Sequence, residues 1–210
     1  MILYLVRHGE TAHNRDGLGL GREDIALTAL GELQAAAVGR RLAEEPIVRI
    51  VTSPLHRAVT VARAIGEARG VEVEVADELI ELDVGETEGM TFPAMREKYA
   101  DFLKEWGGPG GHAVRMPGGE SLVDLEARAG ALVDRLIAGG DGPAVALVTH
   151  NFVLRVLICR LLGVGAAGFR SLTVDLASVS AVQVEGARVS VLYINDTCHL
   201  DGIDGERAPS

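Results

Sequence analysis

The sequence predicts a three-layer α/β/α sandwich with a mainly parallel central sheet, and three observations support this fold class. Short apolar runs recur along the 210-residue chain, as in strands that are buried on both faces of a sheet. Between them lie longer segments with apolar residues at helical spacing. The hydrophobic content of 48% and the charged content of 24% are typical of a compact domain with a full-sized core.

The N-terminal segment predicts a strand, a helix and a second strand. Ile2–Val6 is almost entirely apolar and predicts a strand covered on both faces. Thr28 is a favourable N-cap residue, and the apolar spacing after it predicts a helix over Ala29–Ala43. Ile47–Thr52 predicts the second strand for the same reason as the first.

A proline marks the next helix. Ser53 and Pro54 predict an N-cap followed by a proline at the first helical position, and Gly70 is expected to end that helix. The alternating pattern of Val71–Ala76 predicts a third strand.

Residues 86–119 are interpreted as a lid-like excursion from the core, because this segment is rich in glycine and proline. Within it, Phe92–Trp106 predicts one helix. Four aromatic residues share one face of that helix, which favours core packing over lining the substrate pocket: Phe92, Tyr99, Phe102 and Trp106.

The remaining elements complete the alternation of strands and helices. They are a helix over Ser121–Ile137, a buried strand over Ala144–Val148, a helix over Phe152–Leu162, and a closing hairpin of Ser171–Val184 with Arg188–Ile194. One domain is expected over residues 1–200, followed by a loose polar tail over residues 201–210.

Composition excludes several classes of partner. A formal net charge of −10 argues against a nucleic-acid or anionic-membrane surface. No apolar stretch approaches the roughly 20 residues of a membrane span, and the run before Arg7 is too short for a signal sequence. The two cysteines, Cys159 and Cys198, suggest no disulfide framework. A cytoplasmic location is therefore expected.

Residues that carry chemistry follow the strands. Arg7 and His8 follow the first strand, Arg57 lies in the first turn of the helix after the second, Glu81 follows the third, and His150 ends the fourth. In sheets of this class, ligands bind beyond the carboxyl ends of the strands. These residues are therefore expected to converge at one edge of the sheet.

The convergent set suits metal-free phosphoryl transfer. A neutral imidazole can attack phosphorus through a ring nitrogen, and guanidinium groups neutralise and orient the phosphoryl group. A second, protonated imidazole would add a donor to its oxygens. A carboxyl group with a raised pKa can protonate the leaving alcohol, and Glu81 is the candidate.

Several motifs indicate a family. Near the N-terminus the chain contains Leu5-Val6-Arg7-His8-Gly9-Glu10-Thr11, with Asn14 three residues further on. Other blocks follow in order: Gly21 to Gly31 with Leu27-Thr28, Ser53-Pro54-Leu55-His56-Arg57-Ala58, Glu81-Leu82-Asp83-Val84-Gly85 with Glu88-Gly89, Pro117-Gly118-Gly119-Glu120-Ser121, and Val148-Thr149-His150. Together they resemble the motifs of the histidine phosphatase superfamily, which includes the cofactor-dependent phosphoglycerate mutases.

The resemblance implies a phosphoglycerate mutase-like fold and a role for each residue of the set. By this resemblance, His8 is the phosphorylated nucleophile and Glu81 is the acid and base. Arg7, Arg57 and His150 form the phosphate pocket. Members of the family need no metal, and neither a metal nor a cofactor is expected here.

The resemblance also implies residues that contact the substrate. Asn14 is similar to an asparagine that contacts the transferred phosphoryl group, and Leu20 and Gly21 occupy positions that touch the substrate. The chain departs from the family at Leu20, at Thr87, where many phosphatases have tryptophan, and at Asn151, where glycine is common. Asn151 is expected to add a donor near the phosphate.

The leading hypothesis is a phosphatase that acts on a small phosphorylated metabolite. The alternatives are a phosphoglycerate mutase-type phosphoryl transferase, and a phospholigand-binding domain without turnover. The short 86–119 segment favours hydrolysis, because the mutases carry a longer insertion. The sequence leaves the metabolite open, and the closing hairpin would offer an edge for a homodimer.

Overall fold

A six-stranded sheet forms the centre of the protein in a computed structural model that describes residues 1–140 and 142–203. Its strands are β1 (Ile2–Arg7), β2 (Ile47–Thr52), β3 (Val73–Val75), β4 (Ala144–Thr149), β5 (Val179–Glu185) and β6 (Arg188–Asp196). Their spatial order is β3-β2-β4-β1-β5-β6. The pairs β1–β4, β4–β2 and β2–β3 are parallel, whereas β5 and β6 pair antiparallel at one side. The predicted mainly parallel sheet is confirmed.

Helices cover both faces of the sheet, as the sequence predicts. They are α1 (Ala12–Asp16), α2 (Ala29–Leu42), α3 (His56–Arg69), α4 (Phe92–Lys98), α5 (Ala100–Gly107), α6 (Leu122–Gly139) and α7 (Asn151–Leu161). Alternate residues of β1 point to opposite faces. Leu3 and Leu5 join the core cluster that contains α6 and α7, whereas Tyr4 and Val6 join the cluster that contains α2 and α3. The observed layers therefore match the predicted sandwich.

The start of α3 differs from the prediction. The helix begins at His56 with Leu55 as its N-cap and without a side-chain cap, rather than at Pro54 with Ser53 as the cap. Instead, the Ser53 hydroxyl forms a 2.7 Å hydrogen bond with Nε2 of His150. The Ser53 side chain thus makes a tertiary contact with His150 instead of capping α3.

The predicted helix over Phe92–Trp106 was wrong as a single element. The chain breaks at Tyr99, with φ −125° and ψ 40°, and this break separates α4 from α5. The Tyr99 hydroxyl donates to Glu86 over 2.7 Å. Phe102 and Trp106 pack against the core, but Phe92 is 55% exposed, so the aromatic residues do not share one buried face.

The third strand and the closing hairpin also have different bounds. Strand β3 covers only Val73–Val75, and the first hairpin strand begins at Val179 rather than at Ser171, which ends a 3-10 helix. The intervening loop carries Val174, whose carbonyl oxygen accepts from Arg7. Residues 201–203 form a turn. The rest of the predicted tail lies outside the described residues. No helix within the described ranges is long and apolar enough to span a membrane.

Candidate active site

The candidate site lies at the carboxyl ends of β1 and β4. These strands pair in parallel with Arg7 opposite Thr149, so the residues that follow them, His8 and His150, become neighbours. The backbone N–H of His8 donates to the Thr149 carbonyl oxygen over 3.1 Å. The two imidazole rings are 5.1 Å apart between centroids and inclined by 58°. Register in the sheet thus brings together two residues that are far apart in sequence.

His8 is held with one ring nitrogen occupied. Its Nδ1 lies 2.7 Å from the Gly9 carbonyl oxygen, which can only accept, so we assign the proton to Nδ1. Burial, followed by the charges of Arg7 and Arg57, lowers the pKa of His8 well below its usual value. The imidazole is therefore neutral at pH 7 with the Nε2 lone pair available.

Arg57 is fully buried, and each of the three nitrogen atoms of its guanidinium group donates one hydrogen bond. Its Nε donates to His150 Nδ1 over 3.2 Å, and its two Nη atoms donate to the carbonyl oxygens of Glu23 (2.7 Å) and Gly21 (2.6 Å). Burial lowers the pKa of Arg57, and the charge of Glu81 opposes that shift. Arg57 thereby ties His150 to the loop that contains Gly21.

His150 is neutral in this arrangement, contrary to the expected protonated ring. Since the Arg57 guanidinium can only donate, Nδ1 of His150 must accept, and the proton lies on Nε2, which donates to Ser53. Burial, then the charges of Arg57 and the neighbouring His8, lower the pKa of His150 well below its usual value. Its one N–H remains available to a phosphoryl oxygen if Ser53 gives way.

Glu81 is buried within electrostatic reach of Arg57 and Arg7, with 3% of its surface exposed. Its carboxylate accepts from the backbone N–H of Leu82 (2.8 Å) and of Phe152 (3.2 Å), which lies in the first turn of α7. Burial raises its pKa, while these hydrogen bonds and the charges of Arg57 and Arg7 oppose the rise. A carboxyl group with a raised pKa can exchange protons near neutral pH.

Arg7 presents an unused donor. Its Nη1 donates to the Val174 carbonyl oxygen over 2.6 Å, but its buried Nε has no hydrogen-bond partner among the described residues. Burial lowers the pKa of Arg7 to about 10, so it stays cationic at neutral pH. A buried charged donor without a partner is costly and indicates that an anion belongs there.

Two of the predicted substrate-contacting residues have structural contacts. The Asn14 side chain completes a capping box with Thr11 at the start of α1. Gly21 is buried, and its carbonyl oxygen accepts the hydrogen bond from Arg57 described above. Leu20 is half-buried before it, and Asn151 is the half-buried first residue of α7. Contact of these four residues with a substrate stays a prediction.

Glu88 orders the loop around Gly21, and sequence reasoning assigned it no role. Its carboxylate accepts from the backbone N–H groups of Gly21 (2.5 Å), Arg22 (2.8 Å) and Glu23 (3.3 Å). A side chain at position 21 would bring its Cβ within 2.7 Å of the Leu82 carbonyl oxygen, so only glycine fits. The only available signal was the position of Glu88 in a motif.

Arg128 is the second missed residue. From α6 it donates over 3.0 Å to the backbone carbonyl oxygen of Glu81, over 2.8 Å to that of Glu78, and through two nitrogens to Glu120. Arg22 also pairs with Glu120, at 2.9 Å. No motif marked Arg128. Its contacts fix the backbone at Glu81.

The other four histidines lack the supporting motif residues that mark His8 and His150, which favours surface or structural roles for them. His13 pairs with Glu23 at 3.3 Å, and the side chain of His56, 75% exposed, pairs with Asp24. His112 is half-buried, and His199 contacts the Ala177 carbonyl oxygen. Within residues 1–140 and 142–203, no group of three or more histidine, cysteine, aspartate or glutamate side chains is arranged to hold a metal ion.

Comparison with known proteins adds a family to this geometry. The family model described as histidine phosphatase superfamily (branch 1) matches residues 3–197. Phosphoserine phosphatase 1 of Hydrogenobacter thermophilus is 35% identical over 198 residues, which cover 94% of this chain and 93% of that protein.

Two further relatives carry different names. A probable phosphoglycerate mutase GpmB of Salmonella choleraesuis is 33% identical over 204 residues, covering 95% of this chain and 94% of that protein. The crystal structure of a putative alpha-ribazole-5'-P phosphatase from Escherichia coli superposes with a TM-score of 0.85 at 28% identity, covering 93% of this chain and 96% of that one. The chain is thus similar to proteins named for different phosphate esters.

Proposed function

The chain belongs to the histidine phosphatase superfamily, and on that premise we propose that it is a metal-independent phosphatase that hydrolyses a small phosphomonoester through a phosphohistidine on His8. The observation that carries the proposal is the His8 ring. Its Nδ1 is anchored by the Gly9 carbonyl oxygen, which leaves Nε2 unprotonated, and the ring lies within electrostatic reach of Arg7, whose buried Nε has no hydrogen-bond partner among the described residues. A nucleophile and a cationic donor suited to an anion thus act on each other at the same end of the sheet.

In the first step, the lone pair of His8 Nε2 forms a bond to phosphorus while the bond from phosphorus to the ester oxygen breaks. Glu81 donates its proton to that oxygen, and the alcohol leaves. The pKa of Glu81, which burial raises, supports this role, because a raised pKa favours the protonated carboxyl group that a general acid needs.

In the second step, water attacks the phosphohistidine. Glu81, now ionised, accepts a proton from the water. At the same time the water oxygen bonds to phosphorus, and the bond between phosphorus and Nε2 of His8 breaks. Inorganic phosphate leaves, and both side chains return to their initial protonation states. The same carboxyl group therefore serves as acid and then as base.

Arg7, Arg57 and His150 are proposed to hold the phosphoryl oxygens throughout. Binding of an anion would give the Arg7 Nε its partner and would draw the His150 N–H away from Ser53. Because these groups are buried, their interactions with developing charge are stronger than in water. Asn14 and Asn151 are proposed to add side-chain donors, and Leu20 and Gly21 to contact the substrate.

Hydrolysis of p-nitrophenyl phosphate in excess chelator tests the mechanism. His8→Asn removes the nucleophile and is expected to abolish turnover, whereas His56→Asn, which alters an exposed neighbour of Arg57, leaves the rate unchanged. Alkaline quenching during turnover of labelled substrate should trap phosphate on the wild type and not on His8→Asn, because phosphohistidine survives base. Equal turnover rates for wild type and His8→Asn would overturn the phosphohistidine mechanism, whereas absence of turnover in the wild type would favour the binding-domain alternative.

Mutase activity remains the second candidate because a relative named as a probable phosphoglycerate mutase is 33% identical to the chain. The two activities differ in whether water or a second alcohol takes the phosphoryl group from His8. Phosphorus NMR of 3-phosphoglycerate with its bisphosphate primer separates them. Phosphate release is the expected result, and rapid isomerisation without release would assign the mutase reaction.

A further inference from the structure

Two neighbouring arginines, Arg155 and Arg170, have no role in the proposed phosphate pocket, and Arg155 lies within electrostatic reach of Glu81 and Arg7. Arg155 is half-buried on α7, one turn beyond Phe152, whose N–H binds Glu81. Its Nε donates to the Phe169 carbonyl oxygen over 2.9 Å, and its guanidinium carbon lies 4.9 Å from the centre of the Phe169 ring. The guanidinium group of Arg155 is thereby held in one position.

Arg170, an exposed residue, places a second guanidinium group close to that of Arg155. Its guanidinium carbon lies 4.3 Å from the centre of the Trp106 ring and 4.8 Å from that of Phe169. One of its Nη atoms donates to the Trp106 carbonyl oxygen at 2.5 Å. Phe169 therefore lies against both guanidinium groups, and the aromatic rings hold them close to each other.

Neither arginine of this pair forms an ion pair with a carboxylate among the residues that the structure describes, and Glu81 acts on Arg155 only through its charge. By contrast, Arg128 on α6 and Arg160 on α7 are paired with acids. Two adjacent cations without an anion repel each other, and two such arginines, one of them within electrostatic reach of Glu81, indicate a second negative group on the ligand.

The electrostatic environment links Arg155 to the reaction centre. Burial, followed by the charge of Arg170, lowers the pKa of Arg155, and the charge of Glu81 is among those that oppose the shift. Arg155 in turn acts on the pKa of Arg7. Arg155 therefore lies within electrostatic reach of both the phosphate-binding arginine and the acid next to the leaving group.

We propose that Arg155 and Arg170 form a carboxylate subsite, so that the preferred substrate is a phosphomonoester whose alcohol portion carries a carboxylate. This inference rests on the proposed phosphatase function and narrows its substrate class. The Nε of Arg155 is engaged and its head group lies against aromatic rings, which leaves the two Nη atoms for a flat, bidentate partner. A carboxylate has that shape and charge.

Matched substrates test the subsite. Phosphoserine and phosphoethanolamine share the ester and the amine and differ in the carboxylate. 3-Phosphoglycerate and glycerol 3-phosphate form a second such pair. The wild type is expected to show a kcat/KM at least tenfold higher for the carboxylate member of a pair, since a charge-assisted hydrogen bond contributes about 1.5–3 kcal/mol and about 1.4 kcal/mol is tenfold.

Substitutions locate that preference. Arg155→Gln and Arg170→Gln should each reduce the ratio of kcat/KM within a pair, mainly through KM, and Arg155→Lys should retain part of it. Arg63→Gln removes an exposed arginine on α3 that has no hydrogen bond or ion pair within the described part of the chain, and it should leave the ratio unchanged. Thermal unfolding of each variant checks that the fold is intact.

The outcomes separate two failures. Turnover of p-nitrophenyl phosphate without any preference for the carboxylate member of either pair would overturn the subsite and leave the phosphatase intact. An equal fall for both members in Arg155→Gln would likewise assign Arg155 to packing alone. Absence of turnover with every ester would overturn the phosphatase proposal, and the subsite with it.

Discussion

Replacement of Arg57 by lysine is expected to destabilise the protein severely although the charge is kept. Three nitrogens of Arg57 donate to His150, Glu23 and Gly21, and the side chain is fully buried. A single ammonium nitrogen cannot occupy the positions of all three donors, so two acceptors lose their partner. With about 1.5–3 kcal/mol for each hydrogen bond to a charged group, the free energy of unfolding should fall by about 3–6 kcal/mol.

That loss is a large part of the roughly 5–15 kcal/mol that stabilises a typical domain. Equilibrium unfolding in urea measures it, with Arg63→Lys on the same helix as the matched control. The exposed control should change stability by no more than about 0.5 kcal/mol. If the free energy of unfolding of Arg57→Lys were also within about 0.5 kcal/mol of the wild type, the three hydrogen bonds of the Arg57 guanidinium group would make no net contribution to stability, and the prediction would be wrong.

Three further perturbations have defined outcomes. The pKa of His150 is lower in the folded protein than in the unfolded chain. The contribution of His150 to stability is therefore complete above about pH 6.5 and is lost as the pH falls, by up to about 1.4 kcal/mol per pH unit. Urea unfolding at about pH 5.5 and at about pH 7 should show a shallower pH dependence of stability in His150→Gln than in the wild type. Arg128→Ala should lower stability by about 2 kcal/mol and also reduce kcat, because it removes the shorter of two arginine hydrogen bonds to the carbonyl oxygen of Glu81. Glu81→Gln should slow hydrolysis of an alkyl phosphate by about 10²–10⁴-fold and that of p-nitrophenyl phosphate by much less, since nitrophenolate leaves without an acid.

Each of these predictions has a result that would contradict it. An unchanged pH dependence in His150→Gln would mean that its lowered pKa contributes no pH-dependent stability. For Arg128→Ala, the control is Arg135→Ala on the same helix, whose exposed side chain pairs with Glu78; equal effects in both would assign Arg128 to the surface. Equal losses for alkyl and aryl esters in Glu81→Gln would remove Glu81 from the role of acid.

The sequence was informative wherever the physical signal is local. Apolar runs and helical spacing predicted the central strands and α2, with Thr28 as its cap, because burial of a regular element imposes its own period on the sequence. Local signals misled where tertiary contacts compete. Ser53 forms a hydrogen bond with His150 instead of capping α3, and the Tyr99 hydroxyl donates to Glu86 where the predicted helix is interrupted.

The sequence by itself determined the fold class and the meeting of His8, Arg7, Arg57, Glu81 and His150, because parallel strands deliver the residues after them to one edge of the sheet. Only the tertiary structure decided the state of these groups. The neutral ring of His150 and the unused donor of Arg7 depend on burial and on partners far along the chain. The placing of Arg155 beside Arg170 depends on rings from three segments. Such properties arise from desolvation and long-range contacts, which leave no periodic trace in a sequence.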